Sequence, residues 1–409
     1  MPALDALRIL DLSQWEAGPS CTQALAWLGA DVLKVEPPLR GDPGRAFGSD
    51  GLNSAYFVNW NSNKRRAAID LETQQGRALL LRLLPRYDVL VENYGPGVVE
   101  KLGLDYGALQ PLHPGLIYAS VKGFGSSGPY AGYKCMDMVA QAAGGVLSTT
   151  GQPDGPPTRP GVTLGDSGTG MQLALAITAA YVQKLRTGQG QRIELSMQEA
   201  VTYYMRTTIA NGSDWGRRPA ERTGNGVGAM MNLYPCRPGG PNDHVYVMVV
   251  NTRMWRALCG AIGRLDLLDD SRFERGMARH RNAAALYEEI AKWTRERGKH
   301  EVMAILGEAG VPCSAVLDTR DLFEDPHLQS RGFVKRVAHR ALGEVPLLGW
   351  PARLSRSEVE LRAAPLLGEH TGEVLDTELG LAPDEIDSLR AAGVIGSDPA
   401  PEAPGPARD

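Results

Sequence analysis

The amino-acid sequence predicts an α/β fold in which helices cover both faces of a parallel sheet. Two observations indicate this class. The N-terminal third contains short, nearly continuous apolar strands, and the stretches between them carry apolar residues at helical spacing. With 409 residues, the chain exceeds what one hydrophobic core usually holds, so we expect about two domains.

Strand and helix patterns alternate up to Gly125. A buried strand is predicted over 7–13, and the helix after it is closed by Gly29, a residue type common at helix C-termini. The later strands of this series are predicted over 30–36, up to Leu71, over 87–94 and over 115–125, with helices over 72–85 and 98–102.

Beyond Gly125 the pattern changes to glycine-rich loops and longer helices. A long helix is predicted to begin near Thr169, and a strand follows over 192–196. The segment 211–243 is rich in Gly, Pro, Arg and Asn with little periodicity, which indicates a loop. A second group of elements is predicted as strand 244–250, helices 253–262, 283–297 and 299–309, and strand 313–316.

Composition argues for a cytoplasmic protein without a nucleic-acid or membrane partner. Apolar residues make up 43%, charged residues 22%, and the net charge is −4, with no block of Lys or Arg. The five cysteines have neither disulfide-framework nor zinc-ligand spacing, so reduced thiols are expected. The N-terminus lacks a signal-peptide pattern, and no apolar run reaches the length of a membrane span.

The usual ligand of such a sheet, a nicotinamide dinucleotide, is disfavoured here. The turn after the first strand reads SQWEAGPSCTQ, in which Gly18 is the only glycine, whereas dinucleotide sites need GxGxxG. Glu36, at the end of the second strand, could bind a ribose, but a residue there is more often a solvated carboxylate. No GxSxG, HExxH or phosphate-loop motif appears, so cofactor-free carboxylate chemistry remains.

Asp166 stands out among the carboxylates because glycines flank it in TLGDSGTGM, directly before the long helix. Aspartate is a favoured N-cap residue, so Asp166 could simply cap that helix, although Ser167 or Thr169 could do so instead. Alternatively, Asp166 is a nucleophile. Gly165 and Gly168 would then admit a bulky substrate and offer backbone N–H groups to an oxyanion.

Several motifs together resemble the family III CoA-transferases, particularly the formyl-CoA:oxalate type. The matching segments run in consistent order from the first strand to about residue 395. They are EAGPSCTQALAWLGADVLKVEPP, VENYGPGVVEKLGLDY, YASVKGFGSSGPY, TLGDSGTGM, RTGQGQRIELSMQEA, GVPCSAV and APLLGEHTGEVL.

The resemblance implies a fold and an assembly. It implies a large Rossmann-like domain built from both chain ends, a smaller central α+β domain, and an interlocked homodimer. The expected division is a large domain over 1–190 and 319–395, whose second part starts with a return linker, a linker over 191–224, and a small domain over 225–318. The proline-rich tail 396–409 is expected to be disordered.

The resemblance also implies the activity. The enzyme would move CoA from a short acyl-CoA, such as formyl-CoA, to a small carboxylic acid, oxalate or another dicarboxylate. Asp166 matches the nucleophile that forms a mixed anhydride and then a thioester with CoA, and Glu16 would lie beside it. CoA thioesters are then substrates, and no permanently bound cofactor is expected.

Further residues match positions that contact CoA or close the site in this family, although each lysine would otherwise be interpreted as a solvated surface charge. The CoA set is Ala17, Arg40, Ile69, Asn93, Tyr94, Gly95, Lys101, Leu102, Lys134 and Asp137. The set next to the substrate, including a possible lid, is Gly165, Gly224, Gly226 and Gly228.

The chain departs from the oxalate enzymes at three places. Pro37 replaces an arginine that binds CoA phosphate, and Arg40 could take over its role. Glu16 replaces a glutamine, and this added carboxylate would raise the pKa of Asp166 or be protonated itself. The glycine run of the lid is absent from the region around Gly224, Gly226 and Gly228, so a plain connecting loop is an alternative.

Two other functions compete with CoA transfer. A 2-methylacyl-CoA racemase has the same fold, but its motif contains a histidine where this chain has KCMDM, from Lys134 to Met138. A non-catalytic CoA or nucleotide binder is the second alternative, and Asp166 in its glycine setting argues against it.

Overall fold

The computed structural model describes residues 1–49 and 51–396. The predicted disordered tail therefore lies, from residue 397 on, outside the described residues. The chain forms two compact units, which are described separately below. The first unit comprises 1–146, 160–218 and the chain from 332 onward, and the second comprises 147–159 and 219–331.

A six-stranded, fully parallel sheet forms the centre of the first unit and confirms the predicted sheet. Its strands are β1 (Arg8–Asp11), β2 (Asp31–Glu36), β3 (Arg65–Ala68), β4 (Val89–Glu92), β5 (Ile117–Lys122) and β6 (Arg192–Ser196). The spatial order is β3-β2-β1-β4-β5-β6. The order reverses between β1 and β4, so the loops that leave these two strands diverge, and ligands of such sheets bind at this point.

Helices cover both faces of this sheet, as predicted. Alternating side chains supply two separate cores, so Ile9 belongs to one and its neighbour Leu10 to the other. The helices are α1 (Ala17–Ala26), α2 (Ala55–Asn61), α3 (Gln74–Leu83), α4 (Val98–Leu102), α5 (Tyr106–Leu109), α6 (Asp137–Ala143), α7 (Val146–Thr149, at the boundary of the units), α8 (Thr169–Thr187) and α9 (Met197–Tyr204).

The C-terminal part of the chain completes the first unit. The backbone N–H of Ala68, at the end of β3, donates to Thr371 Oγ1 (3.0 Å), and Asp70 N donates to the carbonyl of Val394 (2.9 Å). The edge strand β3 is therefore tied to the C-terminal segment. That segment contains the hairpin β10 (Val334–His339) and β11 (Gly343–Leu348) and the helices α16 (Thr371–Leu379) and α17 (Pro383–Ala391).

The second unit contains an antiparallel sheet in the order β7-β8-β9. Its strands are β7 (Met231–Pro235), β8 (His244–Met248) and β9 (Cys313–Ala315), and its helices are α10 (Thr252–Ala261), α11 (Gly276–Arg281), α12 (Ala283–Arg295), α13 (Lys299–Glu308), α14 (Thr319–Glu324) and α15 (Pro326–Ser330). The prediction of a loop over 211–243 was wrong for β7. This strand ends in Pro235 at the sheet edge, where the missing N–H is tolerated.

The observed units differ from the expected boundaries. The expected linker 191–224 starts with β6 and α9, which belong to the first unit. The segment 147–159 joins the second unit because the Arg222 guanidinium donates to the carbonyls of Ser148, Gln152 and Gly155. Helix α14 also stays in the second unit, since Lys299 Nζ lies 2.7 Å from Asp321 Oδ2.

Among residues 1–49 and 51–396, no helix has both the length and the apolar character needed to cross a membrane.

Candidate active site

Asp166 lies in a π-helical turn, Leu164–Gly168, that runs directly into α8. Such wide turns are rare and frequently occur at functional sites. A Cβ on Gly165 would lie 2.5 Å from the carbonyl oxygen of Asp137, and one on Gly168 would lie 2.9 Å from Leu164 Cδ1. The two glycines therefore allow the turn to pack closely against its neighbours, whereas the sequence suggested that they admit substrate.

The carboxylate of Asp166 does not cap helix α8. The N-terminal boundary residue of α8 is Gly168, which forms no side-chain capping bond. Ser167 Oγ donates to Thr163 O (2.8 Å) and Thr169 Oγ1 donates to Gly165 O (2.5 Å), so neither hydroxyl replaces a cap. The capping alternative for Asp166 is therefore wrong, and its carboxylate is left for another role.

Asp137, the first residue of α6, holds this turn from outside. Its Oδ1 accepts the backbone N–H groups of Gly165 (2.8 Å) and Asp166 (3.2 Å). Gln141, one turn later on α6, donates to both oxygens of Asp137 (3.0 Å each) and to the carbonyl of Val162. The N–H of Gly165 is thus already used, so the suggestion that it serves an oxyanion was wrong for this residue.

Glu16 meets the same turn from the other side. It follows β1, directly precedes α1, and is only 1% exposed. Its Oε1 accepts a hydrogen bond from Thr163 Oγ1, and the polar groups of Tyr56 and Trp60 lie close enough to favour its ionised form. Since Tyr56 and Trp60 are four residues apart on α2, they present their side chains on one face of that helix.

Electrostatics in this cluster shift two pKa values upward. Burial, and then the negative charges of Glu16 and Asp137, raise the pKa of Asp166 to about 8. Burial also raises the pKa of Glu16 to about 7, with Asp137 adding to the shift and the hydrogen bonds from Thr163, Tyr56 and Trp60 opposing it. The two carboxyl groups therefore titrate as an interacting pair near neutral pH, which is common among catalytic groups.

The loop between β1 and α1, which presents Glu16, is fixed on both sides. Gln14 N donates to Asn93 Oδ1 (2.7 Å), and Asn93 Nδ2 donates back to Gln14 O (2.8 Å). Trp15 has a left-handed backbone with φ of 62°, and its N–H donates to Asp42 Oδ1 (3.0 Å). Such a backbone is unfavourable for tryptophan, so the surrounding bonds must hold it there.

Paired charges buried next to this loop were not predicted. Lys34 Nζ lies 2.9 Å from Asp42 Oδ2 and donates to the carbonyl of Ser13. Lys64 Nζ lies 3.1 Å from Asp11 Oδ2. All four charged side chains are almost fully buried, which is tolerated because each charge has a partner. Asp11 and Lys34, charged residues inside otherwise apolar strands, were the available sequence signal.

Glu36 belongs to a second buried group and is not solvated. It is 2% exposed, Arg45 Nε lies 2.7 Å from its Oε2, and Arg66 Nε lies 2.5 Å from its Oε1. Both guanidinium groups stack over the ring of Phe57, at 4.0 and 4.3 Å from the ring centre. The expectation of a solvated carboxylate was wrong, and the buried ion pairs give Glu36 a structural role.

Apart from Asn93 and Asp137, whose contacts are given above, the residues predicted to contact CoA fall into two groups. Arg40, Gly95, Lys101 and Lys134 are exposed, and Tyr94 and Leu102 are half-buried. Within the described chain, none of the three basic side chains forms an ion pair, so they are available to phosphates. In contrast, Ala17 is buried at the start of α1, and the side chain of Ile69 lies fully in the core.

Gly224, Gly226 and Gly228 belong to the second unit. Gly224 and Gly228 have left-handed backbones, with φ of 61° and 66°. A Cβ on Gly226 would lie 2.3 Å from the carbonyl oxygen of Met231. Local geometry therefore explains each glycine, and the lid stays a prediction.

Comparisons with known proteins agree over nearly the full chain. A family model described as CoA-transferase family III matches residues 4–371. A protein named formyl-CoA:oxalate CoA-transferase from Streptomyces avermitilis is 39% identical over 409 residues, covering 96% of this chain and 99% of the relative. One of the same name from Rhodopseudomonas palustris strain BisA53 is 37% identical over 415 residues, covering 96% and 97%.

A solved structure, described as a CAIB/BAIF family protein from Brucella suis, is also similar. It matches with a TM-score of 0.81 and 33% sequence identity, and the match covers 92% of this chain and 99% of that one.

Proposed function

The chain belongs to CoA-transferase family III, as its motifs indicated, and we propose that it moves CoA from a short acyl-CoA to a small carboxylic acid. Formyl-CoA is the first donor to consider and oxalate or another dicarboxylate a candidate acceptor, because the relatives are named for them. Asp166 carries the proposal: its carboxylate is not used as a cap and lies on a turn that Asp137 and Thr163 hold in place.

The proposed reaction passes through covalent intermediates on Asp166. One carboxylate oxygen attacks the acyl-CoA carbonyl, the C–S bond breaks, and a mixed anhydride and CoA thiolate form. The thiolate attacks the aspartyl carbonyl, which releases the donor acid and leaves an Asp166–CoA thioester. The acceptor carboxylate attacks this thioester and expels the thiolate, which then attacks the acceptor carbonyl to give the new acyl-CoA and free Asp166.

The neighbouring residues have distinct roles in this proposal. Asp137 positions the turn through two backbone N–H groups. Burial and then the negative charges of Glu16 and Asp137 raise the pKa of Asp166, which makes the ionised carboxylate a stronger nucleophile but lowers its fraction at neutral pH. Activity should therefore rise with pH up to about 8.

CoA contacts and assembly complete the proposal. The exposed Arg40, Lys101 and Lys134 supply the positive charge that phosphate groups require, and Asn93 and Tyr94 follow β4 at the reversal of strand order. The interlocked homodimer is proposed from family membership alone.

Mass spectrometry tests the proposal directly. The protein is incubated with a panel of short acyl-CoAs, quenched, and weighed intact and as peptides. We expect a hydroxylamine-sensitive adduct on the Asp166 peptide, absent in Asp166→Ala, and the best donor identifies the acyl group. No adduct with any donor, together with exchange of the α-proton of a 2-methylacyl-CoA, would contradict CoA transfer and favour a racemase.

A further inference from the structure

Glu16 is held as a hydrogen-bond acceptor next to the nucleophile, among side chains that favour its ionised form. Thr163 Oγ1 donates to its carboxylate. The hydroxyl of Tyr56 and the indole N–H of Trp60, which can only donate, lie near the carboxylate and favour its ionised form. Burial and the charges of Glu16 and Asp166 raise the pKa of Tyr56, so this phenol keeps its proton and stays a donor. A set of donors of this kind fits an ionised carboxylate better than a protonated one.

Three carboxylates converge on the turn that carries Asp166. Glu16 contacts Thr163, Asp137 contacts the N–H of Gly165, and Asp166 lies on the turn itself. Across residues 1–49 and 51–396, no lysine, arginine or histidine forms an ion pair with any of the three. The incoming acceptor acid, itself an anion, therefore approaches a site that carries negative charge from these carboxylates.

We propose that Glu16 is a specificity-determining residue that disfavours acceptors with two carboxylates relative to acceptors with one. This inference rests on the proposed function and narrows its acceptor. In oxalate, one C–C bond joins the two carboxylates. When the first carboxylate attacks the Asp166 thioester, the second therefore lies only a few ångströms from the Asp166 carbonyl, at the turn that Glu16 contacts. In a partly desolvated site, repulsion between this second carboxylate and the like charge of Glu16 weakens binding steeply.

The selectivity should also depend on pH. Burial, which opposes ionisation, raises the pKa of Glu16 to about 7. The groups that face it are Asp166, Asp137, Thr163, Tyr56 and Trp60. Below pH about 6 Glu16 is mostly neutral, so discrimination against a second carboxylate should weaken. Ionisation of Asp166 changes the rates with all acceptors together and cancels when two acceptors are compared.

Oxalate and oxamate provide a matched pair of acceptors, since they have nearly the same shape and differ by one charge. With the best acyl-CoA donor, kcat/KM is measured for each acid in wild type, Glu16→Gln and the exposed control Glu373→Gln. We expect the oxalate-to-oxamate ratio to rise about tenfold or more in Glu16→Gln and to stay unchanged in Glu373→Gln.

A ratio that changes less than about twofold would overturn the role of Glu16. If the variant misfolds, the wild-type enzyme gives an independent test. Its oxalate-to-oxamate ratio of kcat/KM should rise as pH falls from about 8 to about 6, a range in which oxalate keeps both charges. A ratio independent of pH would contradict the inference. If Asp166 forms no adduct with any donor, the proposed function itself fails, whereas an adduct with an unchanged ratio refutes only this inference.

Discussion

Replacing Asp166 with asparagine should stabilise the protein at alkaline pH while abolishing its activity. Burial and the charges of Glu16 and Asp137 raise the pKa of Asp166 from its ordinary value of 3.8 to about 8. The folded protein then binds this proton more tightly than the unfolded chain does. The contribution of Asp166 to the free energy of unfolding is therefore complete below pH about 4, and it is lost as pH rises through about 8.

The structure sets the magnitude. One pKa unit corresponds to about 1.4 kcal/mol, so the two units between pH about 6 and the folded pKa of Asp166 correspond to at most about 3 kcal/mol. Asp166 titrates together with Glu16, and a proton taken up by either group reduces the charge repulsion between them. We therefore expect the pH-dependent part of the free energy of unfolding to be about 2 kcal/mol. Asparagine has nearly the same shape and no charge, so its stability should not follow this pH dependence.

Urea unfolding at equal protein concentration measures the effect. The stability difference between Asp166→Asn and wild type should grow by about 2 kcal/mol from pH about 6 to about 9. The matched change Asp376→Asn, at an exposed carboxylate on α16, should show no such growth. A difference that is constant across this range would refute the assignment of a raised pKa to Asp166.

Three further predictions follow from the contacts of the first unit. Asp137→Ala should lower the single-turnover rate of Asp166 acylation about tenfold to a hundredfold, because two backbone N–H groups lose their acceptor. Asp137→Asn should restore most of this rate. Equal rates in wild type and both variants would contradict a positioning role for Asp137. Gly170→Ala should destabilise the protein by about 2–4 kcal/mol in urea unfolding, despite alanine's high helix propensity. The reason is that the new Cβ would lie 2.1 Å from Ser20 Oγ. A gain in stability would show that α1 and α8 can separate. Lys64→Met should cost about 3–5 kcal/mol in the same assay by leaving the Asp11 carboxylate buried without its cation, and a neutral result would mean that Asp11 is reached by water.

The sheet of the first unit could be predicted because its strands are short apolar runs whose hydrophobicity is a local property. Strand β6 matched its predicted bounds. In contrast, β7 was missed because Asn232 and Pro235 weaken the strand pattern, and only pairing with β8 defines it. Register and pairing depend on residues far apart in sequence, which periodicity does not report.

The candidate site was predicted only in part for the same reason. The glycine setting of Asp166 and the family motifs pointed to the nucleophile. The aromatic neighbours of Glu16 could not be predicted, because Tyr56 and Trp60 lie on α2, a two-turn helix for which no pattern was recognised. Asp137 was assigned to CoA, whereas its observed partners are the Gln141 side chain and the backbone N–H groups of Gly165 and Asp166, and backbone groups leave no trace in residue type.

The union of both chain ends in the first unit has a consequence for how the protein is made. The guanidinium groups of Arg45 and Arg66 donate to the carbonyl of Pro365, 320 and 299 residues further along the chain. Likewise, Glu378 on α16 lies within 2.9 Å of both Arg8 and Arg65. These partners emerge from the ribosome only after the entire second unit.

The nascent N-terminal half must therefore wait without its contacts to the C-terminal segment and with the β3 edge uncovered. The second unit, whose own contacts are closer in sequence, can form first. The first residues synthesised therefore belong to the unit whose last contacts become available only at the end of synthesis. A stop codon or proteolytic cut near the C-terminus would damage the N-terminal sheet and spare the central unit.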